Sequence, residues 1–561
     1  MPCLAAGLAF AWFQSARYRF VLDDAFISLR YARNLVAGHG PVFNPGLLPV
    51  EGYTNFLWML IGALHVGLTP WPEQYLLLYN VVFGLLVVVA VWREMWLRGP
   101  RARPWAWLAV ILTAFHETLH AWMGGGLETT FFMLLVTLGA GRFLREEFHG
   151  AEGMWSSVPL GLALLTRPDA YLVVSVCALT RVVRAAREDR NRGRMARWLL
   201  VIAVTCVPHL IFRRLYYGEW LPNTFFVKVP GAHLASGLPY LEIFSSAFYG
   251  SWVVVGGVAL WAIVDAVRQR GTFSVDRGVL AAILAGWFGF IALAGGDYFE
   301  FRLLAPTIPI LALLIALSAS DFAAAGSVAA GPVRLKTALA TLGGLALALR
   351  MLWSGQHLGF GEELFVRLRV PTAAGLGKAN YAEKWRPAGE WFRRFAGRDE
   401  RIAVPAAGVI PWVSELTTLD THGLNDREIA RRPITNRGVL GHEKSATWED
   451  ISKFGTTYHV DDLEFRDHAD SFPAWVLQDE SRVLVELPAH RWMNIGAVGK
   501  AAELRNALRV RGAIVAPGPH EDARLTALEN ERNRATFDAW CLTMEHARRR
   551  RLEASFIPLT G

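Results

Sequence analysis

Asp23 and Asp24 stand side by side at the start of DDAFISLRYARN (23–34), directly after an apolar stretch. Neighbouring residues of a helix point about 100° apart, so one acid can face a substrate while the other binds a neighbour. A carboxylate in a partly dry cavity can take a proton from a substrate hydroxyl. The structural alternative is that two acids in a first helical turn complement the helix dipole. Arg30 and Asn34 follow on the same amphipathic stretch. Five further strings carry polar groups between apolar segments: VEGYTN (50–55), GGGLET (124–129), TRPDA (166–170), YYGEWLPNTFFVK (216–228) and GGDYFEFR (295–302). They contribute Glu51, Tyr53, Glu128, Arg167, Asp169, Asn223, Lys228, Asp297 and Arg302 as candidates for substrate binding.

Each has a plainer reading beside it. Tyr53 with Trp58 would suit a membrane-interface belt, the glycine run a tight connection or a close backbone approach, and Arg167-Pro168-Asp169 a helix break or an ion pair lining a cavity. Lys228 and Arg302 are isolated cations suited to a lipid phosphate, or to snorkelling toward headgroups. His116, Glu117 and His120 spell H-E-x-x-H, which on a helix sets two imidazoles on one face for zinc, with the glutamate as base. No third ligand stands at a diagnostic spacing. A membrane zinc metalloprotease is therefore a rival reading, and a lipid-linked glycan transporter or binding protein is another. No cofactor is expected, and a divalent metal is left open. A G-x-x-x-x-G-K-[ST] loop is missing, as are basic residues interleaved with aromatics at a soluble surface, which argues against ATP-driven transport and nucleic-acid binding.

What must position these groups is a membrane domain. The 561 residues are 53% hydrophobic and 19% charged, whereas a soluble domain carries about 25% charged residues. Apolar runs fill residues 1–353, and residues 354–561 have ordinary charge density. The expected spans are 2–18, 73–96, 104–121, 127–144, 155–166, 169–184, 197–215, 250–268, 276–294, 303–320 and 336–353. The first stretch is read as a short span and not as a cleaved signal. Arginines collect in the loops after 96, 144, 184, 268 and 320, and these loops share one side only if the short segment 54–69 is interfacial or re-entrant. The expectation is a polytopic α-helical domain of about eleven spans over 1–353, with a cytoplasmic N-terminus. An extracytoplasmic domain, α/β or α+β, follows over 354–561, with strands at 401–405 and 512–516 and an amphipathic stretch at 523–548. Cys541 is the lone cysteine of that domain, so no disulfide framework is expected within it. The polar strings then all fall on the outer face, where carboxylates beside a bilayer call for a wet cavity or a partner.

The string DDAFISLRYARNLVAGHGPVFNPG with VEGYTNFLW resembles bacterial GT-C membrane glycosyltransferases related to the mycobacterial terminal β-(1→2)-arabinofuranosyltransferase. GGGLET, LTRPDA, YYGEWLPNTFFVK, GGDYFEFRLLAPTIPIL, VPAAGVIPW and LDTHGLNDREIA match in order, over residues 20–445. The resemblance implies a GT-C fold in the bacterial cytoplasmic membrane, a polyprenyl-phosphate sugar donor, a cell-envelope glycan acceptor and inverting transfer. It also implies an aspartate of the first outer loop as general base, with the first acid, Asp23, preferred. The HETLH segment departs from the pattern, and family likeness indicates reaction class better than substrate.

Overall fold

The computed structural model describes residues 1–18, 20–188, 190–228, 231, 233–247, 275–297, 299–324, 341–343, 345, 380–434, 441–460 and 465–553. The expected spans 250–268 and 336–353 lie outside these residues apart from 341–343 and 345.

The N-terminal part is helical: α1 (Pro2–Ser15), α2 (Asp23–Val36), α3 (Phe56–Val66), α4 (Glu73–Leu97), α5 (Ala106–Ala114), α6 (Glu117–Trp122), α7 (Thr129–Phe148), α8 (Ser157–Thr166), α9 (Ala170–Arg187), α10 (Arg190–Tyr216) and α11 (Asn223–Lys228). Further helices follow at Leu234–Ala247, Val275–Ala294 and Thr307–Ala324. By length and composition, three of the described helices can cross a membrane: Glu73–Leu97, Asn191–Tyr216 and Val275–Ala294. α3 has 11 residues; at 1.5 Å per residue it is about half the thickness of a bilayer core. The expected span 104–121 divides at Phe115. There His116 leaves helical geometry (φ −77°, ψ 119°) and caps α6, its Nδ1 accepting from the Thr118 amide at 3.3 Å.

The helices have two distinct ends. At one, Arg145 makes a two-pronged pair with Glu94 (2.9 and 2.9 Å), Arg181 meets Glu146 (3.0 Å) and Arg98 pairs with Asp276. Arg194 donates to the Glu146 carbonyl, and Ser320 to that of Arg101. The arginines after residues 96, 144 and 184 thus gather at one end, with Asp276 and Ser320 beside them. The polar strings collect at the opposite end, where α7 and α9 begin and Val275–Ala294 finishes.

The C-terminal part packs helices on a six-stranded sheet made of β1 (Arg401–Val404), β2 (Thr417–Asp420), β3 (Tyr458–His459), β4 (Phe465–Arg466), β5 (Arg482–Leu487) and β6 (Arg491–Ala497). β1 pairs in parallel with β2 and β3; β6 is antiparallel to β3, β4 and β5. The expected strand at 512–516 is reduced to a bridge at Val515, held by Glu486 N to Ile514 O and Ala516 N to Leu484 O. Pro517 follows, and with no N–H it cannot extend a ladder. The amphipathic stretch forms the long helix Ala523–Glu553. One apolar cluster runs without a break from Ala11, Phe26 and Leu77 to Trp391, Ile410 and Ile495, so the two parts share a core.

Candidate active site

The mouth of the helical part is built around Gly124-Gly125-Gly126. Gly125 and Gly126 take φ of 79° and 74°, the left-handed region open to glycine, and a Cβ on Gly124 would fall 1.8 Å from the Tyr18 carbonyl. The run pairs with residues 20–22: Gly125 N donates to Phe20 O at 2.9 Å and Leu22 N to Gly125 O at 3.0 Å. That short pairing delivers the chain to the first turn of α2, where the two acids part.

Asp23 turns to the C-terminal domain. Its Oδ2 accepts from the Gly408 amide and its Oδ1 from the Val409 amide, each at 2.8 Å. Dehydration pushes its carboxyl up to about 7, against the Val409 amide and then with the neighbouring Asp24 charge. Asp24 instead lines a cavity of about 360 Å³, together with Ser28, Tyr53, Asn55, Arg167, Asp169, Lys228, Asp297 and Arg302. Leu424 and Gly441 of the C-terminal domain close part of the same cavity.

Beneath the cavity Glu128, fully buried, organises the polar wall. Its Oε1 accepts from Arg167 at 2.8 Å and from Arg302 at 2.7 Å, and its Oε2 from Asn55 at 2.8 Å; Asn55 in turn accepts from Ser28 at 3.0 Å. Arg167 also holds Asp169 at 2.8 Å. Arg167 thus has two carboxylate partners, whereas Arg302 shares Glu128 and its Nε–H has no hydrogen-bond partner. Lys228, exposed at the end of α11, has no ion-pair or hydrogen-bond partner among the described residues. Among the described residues the cavity lining holds the Asp24 carboxylate and the Lys228 ammonium without an ion-pair partner, and Arg302 beside them.

Besides Asp23 and Glu128, four sequence candidates stand outside this cavity lining. Arg30 is buried and donates to Phe43 O (2.7 Å), Pro411 O (2.5 Å), Leu416 O (2.8 Å) and Asn44 Oδ1 (3.0 Å), tethering α2 to the C-terminal domain. Asn34 donates to Val42 O at 2.7 Å. Glu51 is gripped by Arg213 (2.5 and 3.1 Å); burial raises its carboxyl and the arginine opposes that. Asn223 donates to the carbonyls of Gly423, Leu424 and Asp426 at 2.9–3.0 Å. Their hydrogen-bonding capacity goes to fixing loops, not to the cavity.

The HETLH segment is likewise engaged locally. His120 Nε2 bonds the Ala114 carbonyl at 2.6 Å and Glu117 accepts from Tyr18 at 2.5 Å. Because His116 lies before the helix, the two imidazoles do not share a helical face as a zinc site requires. Among the described residues no group of three potential metal ligands comes together. Among the cavity residues that sequence reasoning left unassigned, Ser28 lies within DDAFISLRYARN, Asn55 within VEGYTN and Leu424 within LDTHGLNDREIA, whereas Gly441 carries no such signal.

A family model described as a domain of unknown function (DUF8728) matches residues 376–506. The terminal β-(1→2)-arabinofuranosyltransferase of Mycobacterium tuberculosis is 29% identical over 313 residues, covering 52% of this chain and 47% of that protein. The protein of the same name from Corynebacterium glutamicum is 25% identical over 373 residues, covering 57% and 50%. The chain thus spans about half the length of these relatives. Among solved structures, ArnT from Cupriavidus metallidurans bound to undecaprenyl phosphate superposes with a TM-score of 0.48 at 13% identity, over 74% of this chain and 84% of that one. The Archaeoglobus fulgidus oligosaccharyltransferase in complex with Zn and sulfate gives 0.46 at 12% identity, over 91% and 74%. By sequence the chain is similar, over about half its length, to the terminal β-(1→2)-arabinofuranosyltransferases, the resemblance its motifs had indicated.

Proposed function

We propose that this chain is a GT-C glycosyltransferase that moves a sugar, arabinofuranose by its relatives' name, from a polyprenyl-phosphate donor to a hydroxyl of a cell-envelope glycan. The observation that carries the reading is the meeting of Asp24 with Arg302 and Lys228 in one cavity. In this mechanism Asp24 takes the proton of the acceptor hydroxyl. The hydroxyl oxygen bonds to the anomeric carbon from the face opposite the leaving group, the bond from that carbon to the phosphate oxygen breaks, and polyprenyl phosphate departs with the electron pair. The anomeric centre is inverted once. Arg302 and Lys228 stabilise the charge growing on the phosphate. Asp23 positions Asp24 and does not touch substrate, so the base is assigned to the second acid of the pair.

The gathering of the arginine loops at the helix ends opposite the cavity supports a cytoplasmic face there and an outward-facing cavity. We assign the protein to the bacterial cytoplasmic membrane, with about eleven spans over 1–353 and a domain outside the cytoplasm over 354–561. The test is reconstitution with polyprenyl-phospho-arabinose and an arabinose-containing oligosaccharide. Wild type is expected to elongate the acceptor and Asp24→Asn to fail while folded; elongation by Asp24→Asn at the wild-type rate rejects the proposed base.

A further inference from the structure

The hydrogen bonds of the polar wall beneath the cavity run in one direction. Glu128 is buried between Arg167 and Arg302, and its Oε1 accepts from both, at 2.8 and 2.7 Å. A carboxylate held by two guanidiniums is ionised and can only accept. The Asn55 side chain, 2.8 Å from Oε2, must therefore turn its NH₂ group toward Glu128. That leaves the Asn55 carbonyl oxygen facing Ser28 Oγ at 3.0 Å. An amide oxygen has no hydrogen to give, so the Ser28 hydroxyl is the donor and its one proton is committed. Ser28 has no other side-chain hydrogen bond among the described residues. What it retains is acceptor capacity alone, and it lines the cavity. To donate instead, it would have to break the chain that leads back to Glu128.

The place of Ser28 narrows what comes to it. It follows Asp24 by one turn of α2, so the two side chains are neighbours on one helical face, and both line the cavity. On the other side it stands three hydrogen bonds from Arg302, through Asn55 and Glu128. In-line displacement aligns the attacking oxygen, the anomeric carbon and the leaving phosphate oxygen. With the attacking hydroxyl at Asp24 and the phosphate at Arg302 and Lys228, the transferred ring occupies the interval that Ser28 borders. A phosphate oxygen there would set lone pair against lone pair, whereas a ring hydroxyl brings the hydrogen that Ser28 lacks.

We propose that Ser28 is a specificity-determining residue that accepts a hydrogen bond from a hydroxyl of the transferred sugar. Asn55 and Glu128 are positioning residues that fix its polarity. The inference rests on the glycosyl-transfer reading of this cavity and adds a requirement to it: the donor must carry a free hydroxyl at the matching position of its sugar. Glu128 then serves both parts of the donor, holding Arg302 for the phosphate and, through Asn55, turning Ser28 to the ring.

The experiment measures equilibrium binding to the full chain in nanodiscs. The probes are polyprenyl phosphate, polyprenyl-phospho-arabinose, and analogues of the latter with each free sugar hydroxyl replaced in turn by hydrogen or by fluorine, which accepts but cannot donate. At one position hydrogen should weaken binding to the wild type about fivefold, the loss of one neutral hydrogen bond, and fluorine should weaken it further. Ser28→Ala should lose that discrimination and still bind polyprenyl phosphate as the wild type does. The comparison of hydrogen with fluorine needs no variant, so it decides the matter even if Ser28→Ala fails to fold. Absence of any discriminating position, fluorine tolerated better than hydrogen at every position, discrimination confined to hydroxyls of the acceptor oligosaccharide, or its persistence in a folded Ser28→Ala would each overturn the assignment. Transfer to an arabinose-containing oligosaccharide is followed beside binding. Hydroxyl-dependent binding without transfer would reject the glycosyltransferase reading and leave the Ser28 contact standing, whereas transfer with no hydroxyl dependence would reject the Ser28 contact alone.

Discussion

The adjacent acids Asp23 and Asp24 should fail in different ways when each is changed to asparagine. Asp24→Asn keeps the volume of the side chain and removes its basicity. A general base contributes about 10²–10⁴ in rate, or about 3–5 kcal/mol of barrier at 1.36 kcal/mol per decade. Because Asp24 has no hydrogen-bond partner from the C-terminal domain, stability should change little and the donor KM should stay near wild type. Asp23→Asn presents the opposite pattern. One of the two 2.8 Å amide bonds survives on the asparagine carbonyl, while the other amide now meets an NH₂ group. A hydrogen bond to a charged group is worth about 1.5–3 kcal/mol. Relief of the dehydration that lifts this carboxyl to about 7 offsets part of that loss. A net destabilisation of about 1–2 kcal/mol is expected, with turnover lowered only as far as Asp24 is displaced. The assay pairs single-turnover transfer from polyprenyl-phospho-arabinose with thermal unfolding in the same detergent. A folded Asp23→Asn that is dead beside an Asp24→Asn that turns over normally would refute the division of labour.

Four further outcomes follow from the same geometry. Glu128→Gln leaves Arg167 and Arg302 facing each other without their shared carboxylate, and should cost about 3–5 kcal/mol in a denaturant titration while raising the donor KM. Lys228→Gln removes an exposed cation without disturbing any ion pair, so the donor KM should rise about tenfold with kcat unmoved; an unchanged KM would separate Lys228 from the phosphate. Asp23 holds its proton up to about pH 7 in the folded protein and only to about pH 4 in the unfolded chain, so its contribution to stability is full below pH 4, falls as pH rises from about 4 to 7 and is flat above. Melting curves across that range should show the slope in wild type and lose it in Asp23→Asn. Gly408→Ala would put a Cβ 2.0 Å from the Asp23 carbonyl oxygen, so kcat should fall although no cavity residue has changed, and full activity in that variant would show that the 408–409 amides do not position the acids.

The residues that sequence reasoning placed in the cavity share a property that a one-dimensional reading can detect. Asp24, Tyr53, Arg167, Asp169, Lys228, Asp297 and Arg302 are polar groups at the edges of apolar segments, where the surrounding composition makes them conspicuous. The arginine asymmetry was legible for the same reason, since it depends on composition loop by loop. Arg30, Glu51 and Asn223 have the same residue types at the same boundary, yet they have partners far along the chain: Pro411 lies 381 residues from Arg30, Arg213 lies 162 from Glu51 and Gly423 lies 200 from Asn223, while Asn34 is taken up by the nearby Val42 carbonyl. Periodicity and hydropathy report which face a residue occupies, not which distant loop will use its donors. The rival zinc reading of HETLH loses support for a related reason. Their spacing assumes a continuous helix, whereas the chain breaks at His116 itself.

The same long-range contacts distinguish the two acids, between which the sequence offered only the preference for Asp23 that the resemblance implies, and they favour Asp24 as the proposed base. Two adjacent aspartates in one helical turn are equivalent until something outside the helix tells them apart, and here that is the amide pair of Gly408 and Val409. Their N–H groups point at the outer face of α2 because Gly408 opens the short helix that joins β1 to β2, and its missing Cβ lets the backbone reach Asp23. Once Asp23 is bound there, the rotation of about 100° per residue carries Asp24 round into the cavity. The C-terminal domain thereby acts on the candidate active site without contributing a charged group to it: it sets which of two identical side chains faces the void, and its loops at Leu424 and Gly441 then close that void from above.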